Sequence, residues 1–110
     1  MGKVVKVMMT IIVLKMMLFT ALNADSKKGQ NVFINILLVT CSTTGVDSCA
    51  KFTFKYTQNE WEMIKQAGKF SNEVIKICPK ASGKLKQHQE NDVYNFSYEY
   101  ASDSGNVPSC

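Results

Sequence analysis

The sequence predicts an all-α fold, a small bundle of about four short helices stapled by disulfides. Two helices are marked by their ends: a capping box at Thr57-Gln58-Asn59-Glu60 with a stop at Gly68, then a cap at Ser71 with a block at Pro79. Cys41, Cys49, Cys78 and Cys110 supply the staples, and only one stretch carries period-two hydrophobicity.

Residues 1–24 read as a signal peptide. Lys3 and Lys6 form a charged start, Val7 to Leu14 and Met16 to Leu22 are apolar on either side of Lys15, and Asn23-Ala24-Asp25 gives a small-residue exit. A retained membrane anchor is the alternative, but a spanning helix wants about 20 consecutive apolar residues, and a central lysine costs roughly 2.5 to 3.5 kcal/mol. Membrane contact is therefore expected only through an uncleaved signal. The expected mature chain, residues 25–110, is one helical domain in an oxidising space, periplasmic or secreted, where thiols pair. Four cysteines allow three connectivities, among which sequence does not choose. The lower cost of closing a short loop favours Cys41 with Cys49 and Cys78 with Cys110.

In chain order, Ser26 caps a helix from about Lys27 to Val39, in which Val32, Phe33, Ile36 and Leu37 recur at helical spacing. Its far end, 34–39, is nearly all apolar, so a buried helix and a short strand both fit, and length favours the helix. From Ala50 to Thr57, Phe52, Phe54 and Tyr56 alternate with Lys51, Thr53 and Lys55 as in a half-buried strand. With no ladder partner, it is expected as an extended segment or irregular helical turn, a hairpin with 39–42 being the minor alternative. Thr57 opens a helix over 58–67 with Trp61, Ile64 and Ala67 on one face. Ser71 opens the next, to Ile77, with Phe70 and Ile75 as a hydrophobic staple. Residues 79–90 form a polar loop. Asn91 or Asp92 begins the last helix, to about Ser102, with Val93, Phe96 and Tyr100 on one face, Tyr94 and Tyr98 on another, and Gly105 closing it.

The full chain carries +4, but the expected mature chain keeps ten lysines against nine acids. That charge is polarised, +5 over 25–86 and −4 over 87–110. No arginine is present, so bidentate recognition of phosphate or guanine is lost and nucleic-acid binding is not expected. Lys76, Lys80, Lys84 and Lys86 are the candidate docking residues for an acidic protein partner, the competing reading being a merely solvated surface. The only histidine, His88, sits in polar sequence with no convergent partners, and no Cys-x-x-Cys is present. Cys41 and Cys49 lie eight apart, the wrong spacing for a zinc knuckle, so neither a metal nor a catalytic residue is assigned. The chain is expected to be non-enzymatic and monomeric, with a thiol redox role for Cys41 and Cys49 as the enzymatic alternative. Asn95-Phe96-Ser97 matches the glycosylation pattern but falls within a helix, and is read as chance.

Lys28-Gly29-Gln30-Asn31-Val32-Phe33 resembles the glycine-to-phenylalanine pattern of the first helix of class I c-type cytochromes, with Cys41 where heme attachment begins. The last helix, Asp92 to Tyr100, is similar to the aromatic C-terminal helix that crosses the first one in that fold. Thr57 to Trp61, Ala67 to Phe70, Ile77-Cys78-Pro79 and Ser102 to Cys110 look like a group of small exported bacterial proteins grouped with those cytochromes. The resemblance implies a cytochrome-c-like shell. It departs at Cys41-Ser42-Thr43-Thr44-Gly45, where the family's Cys-x-x-Cys-His would need a second cysteine at Thr44 and an iron-binding histidine at Gly45. The resemblance thus implies a heme-less accessory protein whose acidic partner includes respiratory complexes among the candidates. An electron carrier holding heme atypically, with Met63 and His88 the remaining iron-ligand candidates, is the alternative.

Overall fold

The computed structural model describes residues 26–110, so the signal segment 1–24 lies outside the described residues. Five helices and no strand occur among them: α1 over 26–41, α2 Cys49–Thr53, α3 Gln58–Gln66, α4 Phe70–Ile77 and α5 Gln87–Glu99. Short 3-10 turns, Ser42–Thr44 and Pro79–Ala81, follow α1 and α4. The all-α disulfide-stapled bundle is what the sequence predicts.

α1 crosses α5 at closest approach on Gly29. A Cβ there would lie 1.9 Å from the Asp92 carbonyl oxygen and 2.7 Å from Phe96 Cβ, so only hydrogen fits. One turn on, the Phe33 and Phe96 rings meet at 5.8 Å. From Phe33 to Leu38, α1 is wound as a π-helix, which settles the helix-or-strand ambiguity of 34–39. The wider turn slows the rotation per residue, so Phe33, Leu37 and Cys41, four apart, all stay buried. The helix consequently runs to Cys41, past the expected end at Val39.

The period-two pattern of 50–57 does not make a strand. Ser48 caps α2 by accepting the Lys51 amide at 3.3 Å, and in a helix positions two apart point differently: Phe52 is buried while Phe54 is exposed. The capping box of α3 forms as read, with Thr57 Oγ1 accepting the Glu60 amide and Glu60 Oε1 accepting the Thr57 amide. Gly68 takes φ +69 as its stop. Trp61 is fully buried, Ile64 partly, but Ala67 caps the helix and faces solvent.

Two expected helix starts move. α4 begins at Phe70, with no side-chain cap from Ser71, because Phe70 buries against Trp61 at 5.8 Å and Tyr94 at 5.7 Å and draws the first turn inward. α5 begins at Gln87 rather than Asn91, since Gln89 Oε1 accepts the Lys86 amide at 2.9 Å and supplies the start that Asn91 was expected to give. Asn91 instead accepts from Lys65 Nζ. α5 ends at Glu99, and Gly105, at φ +79, turns the tail rather than the helix.

The core is an aromatic stack reaching every helix: Phe96 to Phe33, Phe33 to Phe52 at 5.2 Å, Phe52 to Trp61 at 5.6 Å and Trp61 to Phe70. Each fully buried ring contributes about 1.5–3 kcal/mol by leaving water. Trp61 Nε1 donates to the Thr53 carbonyl at 3.0 Å, so the one polar atom of that ring is satisfied in the dry interior. The Thr53 hydroxyl beside it has no hydrogen-bond partner.

Gly29→Ala is expected to destabilise the fold by about 1–3 kcal/mol, because the methyl must displace the α5 backbone; urea unfolding monitored by circular dichroism reads this. Thr53→Val, which removes the buried unpaired hydroxyl at constant shape, is expected to be neutral or to raise stability by about 1 kcal/mol in the same assay.

Candidate functional site

The disulfides join Cys41 to Cys78 and Cys49 to Cys110, with Cα atoms 5.7 and 5.3 Å apart. This corrects the pairing that short-loop closure favours. Loop entropy describes the unfolded chain, whereas here the folded geometry decides. The π-wound α1 turns Cys41 inward, where its last turn packs on Pro79–Ala81 beside Cys78. The Cys49 amide donates to the Cys110 carbonyl at 3.0 Å, holding the tail against α2. Closing 37- and 61-residue separations is worth about 4 kcal/mol each in the loop-entropy model. Cys41 and Cys49 belong to different bridges, so they do not form a dithiol pair.

Covalent heme attachment does not fit these residues. The Cys41 sulfur is bonded to Cys78 and buried, Thr44 Oγ1 donates to the Cys41 carbonyl at 2.8 Å, and Gly45 takes φ +96, a backbone state that a histidine rarely adopts. Met63 is 60% exposed on α3, and His88 is exposed in the first turn of α5. Among the described residues, no group of three or more His, Cys, Asp or Glu side chains is placed to hold a metal. Within the Asn95-Phe96-Ser97 pattern, Ser97 is buried and its hydroxyl donates to the Val93 carbonyl at 2.8 Å.

Lys76, Lys80, Lys84 and Lys86 are all exposed, at the end of α4, in the following 3-10 turn and in the approach to α5. Lys80 Nζ donates to Thr43 Oγ1 at 3.2 Å, which brings the 42–44 turn alongside this segment. The ion pair found among the described residues, Lys51 with Asp47 at 2.7 Å, lies elsewhere, so none of the four lysines is neutralised by a carboxylate there.

Sequence reasoning missed a second feature. Tyr56, Glu60, Met63, Ile64 and Glu73 line an open cavity of about 270 Å³ between α3 and α4. In the sequence Glu60 serves a capping box and Tyr56 falls in a period-two pattern, and no local signal joins Tyr56 to Glu73 across 17 positions. The Tyr56 hydroxyl donates to Glu73 Oε1. That bond, with burial and the charges of Glu73 and Glu60, pushes the Tyr56 phenol up to about 12. Tyr94 is also pushed up to about 12, first by burial and then by the charge of Glu62.

No protein-family model, no curated protein and no solved structure matches this chain.

Non-reducing digestion with mass spectrometry is expected to recover peptides joining Cys41 to Cys78 and Cys49 to Cys110, and none joining Cys41 to Cys49. Tyr56 and Tyr94 hold their protons in the folded chain to about 12, whereas the unfolded phenol releases its own near 10.0. The folded state thus binds more protons in that window, and stability, complete below pH 10, falls as pH rises toward 12. Tyr56→Phe should flatten that fall, read as the urea midpoint against pH.

Proposed function

We propose that the protein is a non-catalytic, exported accessory protein that docks on an acidic protein partner through Lys76, Lys80, Lys84 and Lys86. The observation that carries this reading is the placement of four exposed ammonium groups within eleven residues, unpaired with any carboxylate among the described residues. Lysines in this state are strongly hydrated point charges, suited to steering encounter and setting salt dependence rather than to tight, dry contact. Lys80 Nζ donates to Thr43 Oγ1 in an exposed contact, which brings the 42–44 turn to the edge of this segment. The two disulfides suit an oxidising compartment, in keeping with the signal-like 1–24. A heme-less, cytochrome-c-like shell remains the family reading, and a respiratory complex is one acidic surface of the required sign.

The test is capture of a partner from envelope extract at low ionic strength. A captured protein should be released by about 0.5 M salt, where screening acts within roughly a bond-contact distance. Replacing all four lysines by glutamate should abolish capture, while the same charge change at Lys27, Lys28, Lys51 and Lys55, exposed lysines outside the segment, should leave most of it. Equal capture by the two variants would refute the assignment of the surface.

A further inference from the structure

We propose that the cavity between α3 and α4 binds a small alkylammonium ion, primary or quaternary, between the carboxylates of Glu60 and Glu73 and over an apolar lining of Tyr56, Met63 and Ile64. The site shares α4 with Lys76, three residues after Glu73, but its lining includes none of the four lysines and it does not rest on the docking reading.

The chemistry of the lining selects the ligand. Each carboxylate commits one oxygen within the fold: Glu60 Oε1 to the Thr57 amide and Glu73 Oε1 to the Tyr56 hydroxyl. The second oxygen of each has no donor among the described residues, and neither carboxylate is in an ion pair there. Glu60 and Glu73 both line this one cavity. Two negative charges on one concave surface favour a cation and repel an anion. The rest of the lining is a phenol ring, a thioether and a branched alkyl chain, which favours a cation with a hydrocarbon body over a hydrated one. A divalent metal wants six or more oxygens, or nitrogen and sulfur donors in a closed set, and two carboxylates over an apolar lining supply neither. The volume, about 270 Å³, suits a ligand of only a few heavy atoms, the size of choline.

The positions are held firmly. Glu60 is fixed by the capping box and Glu73 by the Tyr56 hydroxyl, and the Tyr56 ring stands edge-on to the buried Trp61 at 4.9 Å. Trp61 is the only tryptophan of the chain, so its emission reports on the ring that lines the cavity.

The experiment is an amide NMR titration of the oxidised protein with choline chloride, run beside sodium chloride and the neutral isostere 3,3-dimethylbutan-1-ol. Choline should give saturable shifts confined to residues 56–64 and their neighbours around Glu73, with a midpoint of about 1–10 mM, and the isostere should bind about tenfold more weakly or not at all. Met63→Lys, at a position 60% exposed, places a competing ammonium at the cavity and should abolish the shifts. Glu60→Gln with Glu73→Gln keeps both hydrogen-bond acceptors and should weaken choline about tenfold without changing the weak binding of the isostere. Shifts no larger than those with sodium chloride, equal affinity for choline and its isostere, or full binding by Met63→Lys would each overturn the proposal.

Discussion

The approach of Gly29 to the Asp92 carbonyl is the constraint on which the rest of the molecule depends. With α1 and α5 in backbone contact there, Phe33 and Phe96 are brought ring to ring, and the other helices pack on the aromatic stack those two begin. α2 and α3 lie against α5 as well as against each other's rings, and the Trp61 to Thr53 hydrogen bond locks that layer. The crossing must be close because the domain is small. A wider separation of α1 and α5 would leave Phe52 and Trp61 partly wet, and this core has no second layer to cover them.

Helix ends written in side-chain chemistry were the most legible part of the sequence. Thr57, Glu60 and Gly68 act locally, within three or four residues, and each behaves as its type requires. Ends set by packing were not legible: Phe70 starts α4 because two rings from other elements wait for it, and no local rule contains those rings. Gln89 shows the other limit, for it performs half of a capping box without the Ser or Thr that makes the motif recognisable. The alternation over 50–57 is a genuine pattern with the wrong meaning, since alternation specifies a strand only where a ladder partner exists to reward it. The disulfide pairing fails for the same reason. It is a property of which surfaces meet, and α1 reaches Cys78 through a π-wound stretch that no propensity scale marks.

The candidate surfaces divide in the same way. The lysine segment is contiguous in sequence, so its residues and their exposure were readable from composition alone, apart from the link of Lys80 to Thr43. The cavity gathers Tyr56 and Glu60 from one stretch and Glu73 from another, and each of the three residues has an ordinary local explanation. The two surfaces carry opposite charge and different degrees of order: long ammonium stems in solvent on one, carboxylates pinned by an amide and a phenol on the other. A chain near neutrality in its described part thus carries a lysine-rich segment and a carboxylate-lined cavity.

The bridges run first to third and second to fourth, so their loops overlap from Cys49 to Cys78. Every peptide bond from Cys41 to Cys110 lies inside at least one covalent ring. A protease that nicks the polar turn at 82–86, or any other point in that span, leaves a molecule still held as one covalent piece. Consecutive pairing would have left 50–77 outside both rings, and one cut there would have split the domain in two. Resistance to separation after damage is thus a topological property of this chain, independent of how well its core is packed.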